Sequence, residues 1–319
     1  MATRMLVAGA AGFIGTNFLN RVKNKEEFEV LAVYHRKKPV VASRNIRYVQ
    51  ADLRNPEECR KVTRDIDHVC MFAGRLSTTA VMVDNPLGPV TENTVINTQM
   101  LEAAYISGVR KYCWLSSTTG YPKMSTEMKE DDFFTGDPPP PYEPVGWMSR
   151  YIEKLSMLYA QKPAKPMTVI SLRPTSVFGE YDDFNYRTCH ALPAIMRRVI
   201  ERQSPIEIWG SGEDRRDWLY VDDLIDACLL ALDTVDGYEA INIGSGKTYS
   251  LNELLDTMLE IDGFENTEIT HTSTKATSVT VRQFDCSYAG QRLHFKAKTS
   301  IRDALANTMK WFRETGYTG

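Results

Sequence analysis

From residue 5 to residue 172 the chain alternates short apolar runs with segments of helical periodicity, and this alternation limits the fold more than any other feature. The runs Met5-Leu-Val-Ala8, Val30-Leu-Ala-Val33, Ile46-Arg-Tyr-Val49, His68-Val-Cys-Met-Phe72, Lys111-Tyr-Cys-Trp-Leu115 and Thr168-Val-Ile-Ser-Leu172 read as buried strands. Between them lie segments such as residues 93–108, where Val95, Ile96, Met100, Leu101 and Ala104 recur at helical spacing. Strand–helix alternation predicts an α/β protein with a doubly wound parallel sheet. Such sheets bind their ligands at the carboxyl ends of the strands.

After Arg173 the loops lengthen and carry more Arg, Asp and aromatic residues. Helical patterns return at residues 192–202, 222–233, 251–260 and 300–315. We read a dinucleotide-binding unit of the Rossmann type over residues 1–174, with 217–243 returning to it. A smaller mixed α/β substrate lobe is expected over 175–216 and 244–319. The stretch Asp137-Pro-Pro-Pro-Pro-Tyr142 cannot form helix or central strand. It is either a plain surface loop or the border of a site.

A formal net charge of −3 leaves no basic excess to neutralise a nucleic-acid backbone, so no nucleic-acid partner is expected. The six cysteines, Cys59, Cys70, Cys113, Cys189, Cys228 and Cys286, are scattered without a C-x-x-C pair. They suggest neutral thiols in a reducing compartment and no metal site. No apolar run approaches the roughly 18 residues of a membrane span. The first residues run directly into an apolar strand, unlike a signal peptide. A cytoplasmic protein with no membrane partner is expected.

The segment Gly9-Ala-Ala-Gly-Phe-Ile-Gly15 follows the first strand and opens a helical pattern. There Gly9 allows the tight turn, Gly12 lets backbone approach a pyrophosphate, and Gly15 lets the helix pack on the strand. The helix start, at Phe13 and Ile14, offers backbone N–H groups to the anion. The second strand ends at Tyr34 and is followed by His35, Arg36, Lys37 and Lys38, without the acid that holds a free ribose. That basic cluster favours NADP(H), with NAD(H) possible; a solvated charge run is the plain alternative. Asp52, beside Leu53 after the third strand, is placed to bond adenine or to cap a turn. Ala73 and Gly74 end the fourth strand, where small residues let a dinucleotide pass.

These motifs, with Asn93, Leu115-Ser-Ser117, Arg173-Pro-Thr-Ser-Val-Phe-Gly179, Tyr220-Val-Asp-Asp223 and Ile241-Asn-Ile-Gly-Ser-Gly246, resemble the extended short-chain dehydrogenase/reductases over essentially the whole chain. The group is the NAD-dependent epimerase/dehydratase family. The carboxyl half most resembles the GDP-L-fucose synthases and related GDP-sugar enzymes. The matching segments are Tyr121-Pro-Lys123, Asp182-Asp-Phe184, His190-Ala-Leu-Pro-Ala194, Met196-Arg-Arg198 and Ile208-Trp-Gly-Ser-Gly212 with Arg216. The resemblance implies a nucleotide-sugar substrate and a homodimer built on helices near residues 93–108 and 146–161.

The resemblance also implies a Tyr-x-x-x-Lys pair on one helical face, the Tyr moving a proton while hydride moves at carbon. Here the chain departs. In Glu143-Pro-Val-Gly-Trp-Met-Ser-Arg-Tyr-Ile-Glu153, Val145 falls at the Tyr position and Ser149 at the Lys position. Neither replaces the chemistry. Arg150 is an adjacent cation, about 100° away on an ideal helix. The resemblance places the family's strand-end serine at Ser117, its epimerisation cysteine at Thr119 and the partner histidine at His190. Ser117, Thr119, His190, Tyr121 and Tyr142 are therefore the candidate proton carriers. A backbone-bonded hydroxyl and a satisfied helix-start histidine are the plain alternatives for Ser117 and His190. Arg198, Trp209 and Arg216 suit a diphosphate and a nucleoside, with Arg282 and Lys275 as weaker candidates. Salt bridging and core packing are the alternatives.

Two functions follow. One is an NAD(P)-dependent nucleotide-sugar oxidoreductase, epimerase or dehydratase with a non-standard proton relay. The other is a catalytically degenerate nucleotide-sugar or dinucleotide binder with a regulatory or scaffold role.

Overall fold

The first strand shows how the sequence builds the sheet. In β1 (Thr3–Ala8), Met5 and Val7 enter one apolar core while Leu6 and Ala8 enter another. A strand apolar at every position must be covered on both faces. The computed structural model describes residues 2–75, 81–82, 85, 87–272 and 281–316. Within them β2 (Phe28–Tyr34), β3 (Ile46–Gln50), β4 (His68–Met71), β5 (Lys111–Leu115), β6 (Thr168–Pro174) and β10 (Tyr238–Ile243) join β1 in one sheet. Its order is β3-β2-β1-β4-β5-β6-β10, parallel throughout. The chain steps outward through β2 and β3, then returns to the other side of β1 with β4. That reversal opens a crevice above the carboxyl ends of β1 and β4.

Helices Phe13–Val22 and Val221–Thr234 cover one face of the sheet; Pro56–Thr63, Leu87–Ile106 and Glu143–Gln161 cover the other. Their boundaries follow local chemistry. Asn55 caps Pro56–Thr63 by accepting from the Glu57 N–H, with proline at the first turn. Ser250 and Glu253 form a capping box at the start of Leu251–Asp262, and Gly263 ends that helix at φ 62°. The pattern read as 251–260 therefore runs two residues further, to the first residue that adopts the left-handed turn without strain.

Smaller sheets build the second lobe. β9 (Arg215–Tyr220) pairs with β7 (Ser176–Phe178), β11 (Thr248–Ser250) and β13 (Val281–Arg282), while β8 (Ile206–Trp209) pairs with β12 (Ile269–Thr272). Helices Ala191–Ile200, Leu251–Asp262 and Ile301–Thr315 close a core around Phe178, Leu192, Trp218, Leu254 and Leu305. Phe13 and Ile14 pack against this core from the glycine-rich turn, so the first helix start touches both lobes. Four cysteines, Cys59, Cys70, Cys113 and Cys228, are buried and all six are free thiols.

A buried polar network fastens the crevice side of the sheet. Glu153 accepts from Arg173 Nε at 2.9 Å and Nη2 at 2.6 Å, and from Ser116 Oγ at 2.6 Å. Arg173 Nη1 donates to Tyr121 Oη and to the Glu130 carbonyl, both at 2.9 Å. Tyr121 in turn donates to Asn242 Oδ1 at 2.5 Å. Removing one partner would leave the other as a buried, unpaired charge, at a cost of about 3–5 kcal/mol. Arg173→Met is expected to lower stability by about that amount, read as a lower urea midpoint with an unchanged slope.

Candidate active site

The turn after β1 is shaped for close approach. Gly9 has φ 78°, and its N–H and that of Ala10 both donate to the Val33 carbonyl. A Cβ on Gly9 would lie 2.7 Å from the Ala73 backbone nitrogen, and one on Gly15 would strike the Gly9 carbonyl. Gly12 precedes the helix Phe13–Val22, whose first amides point toward this turn. The cradle is therefore one that any side chain would fill, which fits a dinucleotide pyrophosphate at a helix start.

The crevice beside it encloses about 180 Å³ and is lined by Phe72, Ala73, Gly74, Asn93, Ser117, Val145 and Ser149, among others. Asn93 holds the loop after β4: its Oδ1 accepts from the Arg75 N–H at 2.7 Å and its Nδ2 donates to the Arg75 carbonyl at 3.0 Å. Val145 and Ser149 lie one turn apart in the wall, both buried, with Ser149 Oγ donating to the Val145 carbonyl at 3.0 Å. Ser117 Oγ lies 2.8 Å from Thr119 Oγ1 in the short turn Thr118–Gly120. Among the described residues lining the crevice, no side chain titrates near neutral pH.

Two expected participants lie elsewhere. Tyr121 is fully buried against Phe133 and Phe284, its hydroxyl held by Arg173 and Asn242, and burial pushes its pKa well up. It belongs to the core network rather than to a relay. Arg150 is buried too: its Nε donates to the Gly120 carbonyl at 2.9 Å and its Nη2 to that of Thr135 at 3.2 Å. Its charge steadies two loops and does not stand in for a lysine at 149.

Beyond the ends of β2 and β3, Asp52 is gripped by Arg54, which donates from Nε at 2.9 Å and from Nη2 at 2.6 Å. That bond holds the carboxyl down at about 2, with the His35 ring 3.7 Å away. Arg36 is exposed. Leu53 packs into the core beneath, so its side chain is structural.

On the opposite side, Arg216 and Arg282 are partners across β9 and β13. Arg282 donates to the Thr118 carbonyl at 2.7 Å, so it reaches the turn that carries Thr119. Burial and the neighbouring Arg216 lower its pKa to about 10. Two guanidinium groups side by side concentrate positive charge here, with Asp214 3.6 Å from Arg216 Nη2. In the sequence Arg282 is a weaker candidate because its loop matches the family pattern poorly; the strand pairing supplies the missing signal. Lys275 lies outside the described residues. Arg198 donates to the Glu207 carbonyl at 2.7 Å, and Trp209 is half exposed at the end of β8. His190 precedes the helix Ala191–Ile200 and is exposed. Despite that exposure, desolvation by the neighbouring chain lowers its imidazole's pKa, with Asp183 opposing.

Comparison with known proteins agrees with this architecture. The NAD dependent epimerase/dehydratase family matches residues 5–244, and the chain belongs to that family. A putative GDP-L-fucose synthase 2 of Arabidopsis thaliana is 28% identical over 98% of this chain and 92% of its own length. A GDP-mannose 3,5-epimerase 1 of Oryza sativa subsp. indica is 26% identical, covering 98% and 82%. Among solved structures, MoeE5 in complex with UDP-glucuronic acid and NAD superposes with a TM-score of 0.85 at 26% identity, over 98% of this chain and 99% of MoeE5. A UDP-glucose 4-epimerase of Thermotoga maritima gives 0.87 at 24%, over 99% and 100%.

One buried acid borders the His190 segment. Asp182 Oδ1 accepts from the Asp183 N–H at 2.7 Å, while Oδ2 has no partner among the described residues. Burial raises this carboxyl from the usual aspartate range to about 8. Folding thus favours the protonated form, so the stability it contributes is full in acid and falls as pH rises, levelling above about 8. Asp182→Asn is expected to abolish that decline, measured as a urea midpoint that varies less than the wild type's between acid and mildly alkaline pH.

Proposed function

We propose that the chain is an NAD(P)-dependent enzyme acting on a nucleotide sugar, with a non-standard proton relay in place of the family's Tyr and Lys. The reaction class is oxidation, reduction, dehydration or epimerisation at a sugar carbon. The observation that carries this reading is the adjacent pair Arg216 and Arg282, the latter bonded to the turn that follows Ser117 in the crevice wall. It offers a diphosphate site within reach of the place where a nicotinamide would lie. Guanine is the proposed base, because the relatives matched along nearly the whole chain are named for GDP sugars. MoeE5, solved with a UDP sugar, makes uridine nucleotides the necessary comparison.

NADP(H) is the proposed cofactor. His35 and Arg36 follow β2 without an acid between them, and Asp52 is already neutralised by Arg54. A dinucleotide bearing the 2′-phosphate would find His35 and Arg36 there beside the Asp52–Arg54 pair, and hydride chemistry is what the bound cofactor would supply. Six free cysteines suit a reducing compartment, and we place the protein in the cytoplasm. No helix among the described residues is long and apolar enough to cross a membrane. A homodimer belongs to the same reading. Trp147, Tyr151 and Leu158 are 46%, 53% and 50% exposed on one stripe of Glu143–Gln161. The protein is expected to sediment as a dimer, and Tyr151→Glu as a monomer.

A second reading, a nucleotide-sugar binder without turnover, is favoured by the crevice lined at 145 and 149 by Val and Ser. Calorimetry with NADPH, NADH, GDP sugars and UDP sugars, followed by nicotinamide absorbance, separates the two. We expect tighter binding of NADPH and GDP sugars, measurable turnover, and a loss of about 10²–10⁴-fold in His190→Ala. Tight binding of both ligands with no turnover in any pairing would establish the second reading.

A further inference from the structure

Position 145 supplies no proton carrier, yet a phenol stands one helical turn earlier. Tyr142 immediately precedes Glu143–Gln161 and its carbonyl accepts from the Gly146 N–H at 2.9 Å. Residues three apart near a helix start share a face, so Tyr142 and Val145 belong to the same side. Gly146 presses this helix start against the turn that follows Ser117: a Cβ there would lie 2.7 Å from the Thr119 carbonyl. The next carbonyl back, that of Thr118, is the one Arg282 binds. Tyr142 is close enough to both Arg282 and Arg216 to interact with their charges. The phenol therefore lies near the paired arginines, at the start of the helix that lines the crevice with Val145 and Ser149. A sugar linked to a diphosphate on the arginines would lie near it.

We propose that Tyr142 is the proton-transfer residue for the reacting sugar hydroxyl, acting from one turn before the position the family uses. The proposal rests on the nucleotide-sugar reading above. In the oxidative direction the reacting C–H bond would break with its electron pair, and a bound oxidised nicotinamide would supply the acceptor for that hydride. The hydroxyl proton passes to the deprotonated Tyr142 oxygen, and the C–O single bond becomes a carbonyl. Reduction returns both to the sugar, so neither charge nor electrons are left over.

The proposal separates Tyr142 from its neighbours by what each lacks. Val145 has no exchangeable proton, Ser149 spends its hydroxyl on a backbone carbonyl, and Tyr121 is locked in the core. The Ser117 and Thr119 hydroxyls bond each other and are suited to orient the sugar oxygen beside the phenol.

The test is Tyr142→Phe, which keeps the ring and removes the acid. Binding of NADPH and of the GDP sugar, measured by calorimetry, is expected to be unchanged. Turnover is expected to fall by about 10²–10⁴-fold with KM unaltered. Tyr142→His, which restores a proton carrier, is expected to recover part of the rate with a displaced pH optimum; it also serves if the Phe variant fails to fold. Undiminished turnover and an unchanged pH profile in Tyr142→Phe would overturn the proposal and leave the nucleotide-sugar reading intact. A wild-type protein that binds both ligands without turnover would overturn the proposal together with the enzymatic reading. Failure of the wild type to bind any nucleotide sugar would overturn the reading beneath both.

Discussion

The ion pair between Glu153 and Arg173 is the constraint on which the crevice depends. Two charges removed from water are tolerated only when their remaining donors and acceptors are satisfied. Here each remaining partner comes from a different part of the chain: Ser116 after β5, Tyr121 beyond the adjoining turn, Glu130 in a short 3-10 segment, and Asn242 in β10 indirectly through Tyr121. Satisfying one guanidinium and one carboxylate therefore fixes the relative positions of β5, β6, β10 and the helix that carries Val145 and Ser149. The geometry of the crevice wall follows from that.

What the wall presents is less usual than how it is held. The cradle side keeps every feature a dinucleotide needs: a positive-φ glycine, a close strand–helix approach and a helix start aimed at the turn. The opposing side keeps a pair of arginines on adjacent strands. Between them the side chains of the helical wall are apolar or already bonded. Binding machinery and proton machinery are separable in such a site, because the first depends on backbone and cation placement while the second depends on a single exchangeable hydrogen.

The amino-terminal half of the fold was legible in the sequence. Strands buried on both faces are continuous apolar runs, and the run Lys111–Leu115 matches β5 to the residue. The glycine turn and its neighbours Ala73 and Gly74 were legible for the same reason, since close backbone contact demands small residues. The rest was hidden where meaning depends on distant partners. Nothing local in Val281-Arg-Gln283 says that Arg282 faces Arg216; only the pairing of β13 with β9 does. Tyr121 reads as a candidate proton carrier, but Asn242, more than a hundred residues away, draws it into the core. Arg150 lies next to Ser149 in sequence, and helical rotation sends it to the carbonyls of Gly120 and Thr135 instead.

The position of β10 has a consequence for how the chain is made. It pairs only with β6 in the main sheet, and its Asn242 completes the polar network around Tyr121. As the polypeptide emerges from the ribosome, β1 to β6 are complete by residue 174, yet β6 remains an open sheet edge until residue 243 has followed. During that interval the edge amides and the phenol of Tyr121 lack their final partners, and the whole segment forming β7, β8 and β9 is synthesised in between. An unpaired edge strand is a template for wrong pairing. The nascent chain is thus most exposed to misassembly late in its synthesis, after the cofactor cradle has already been laid down.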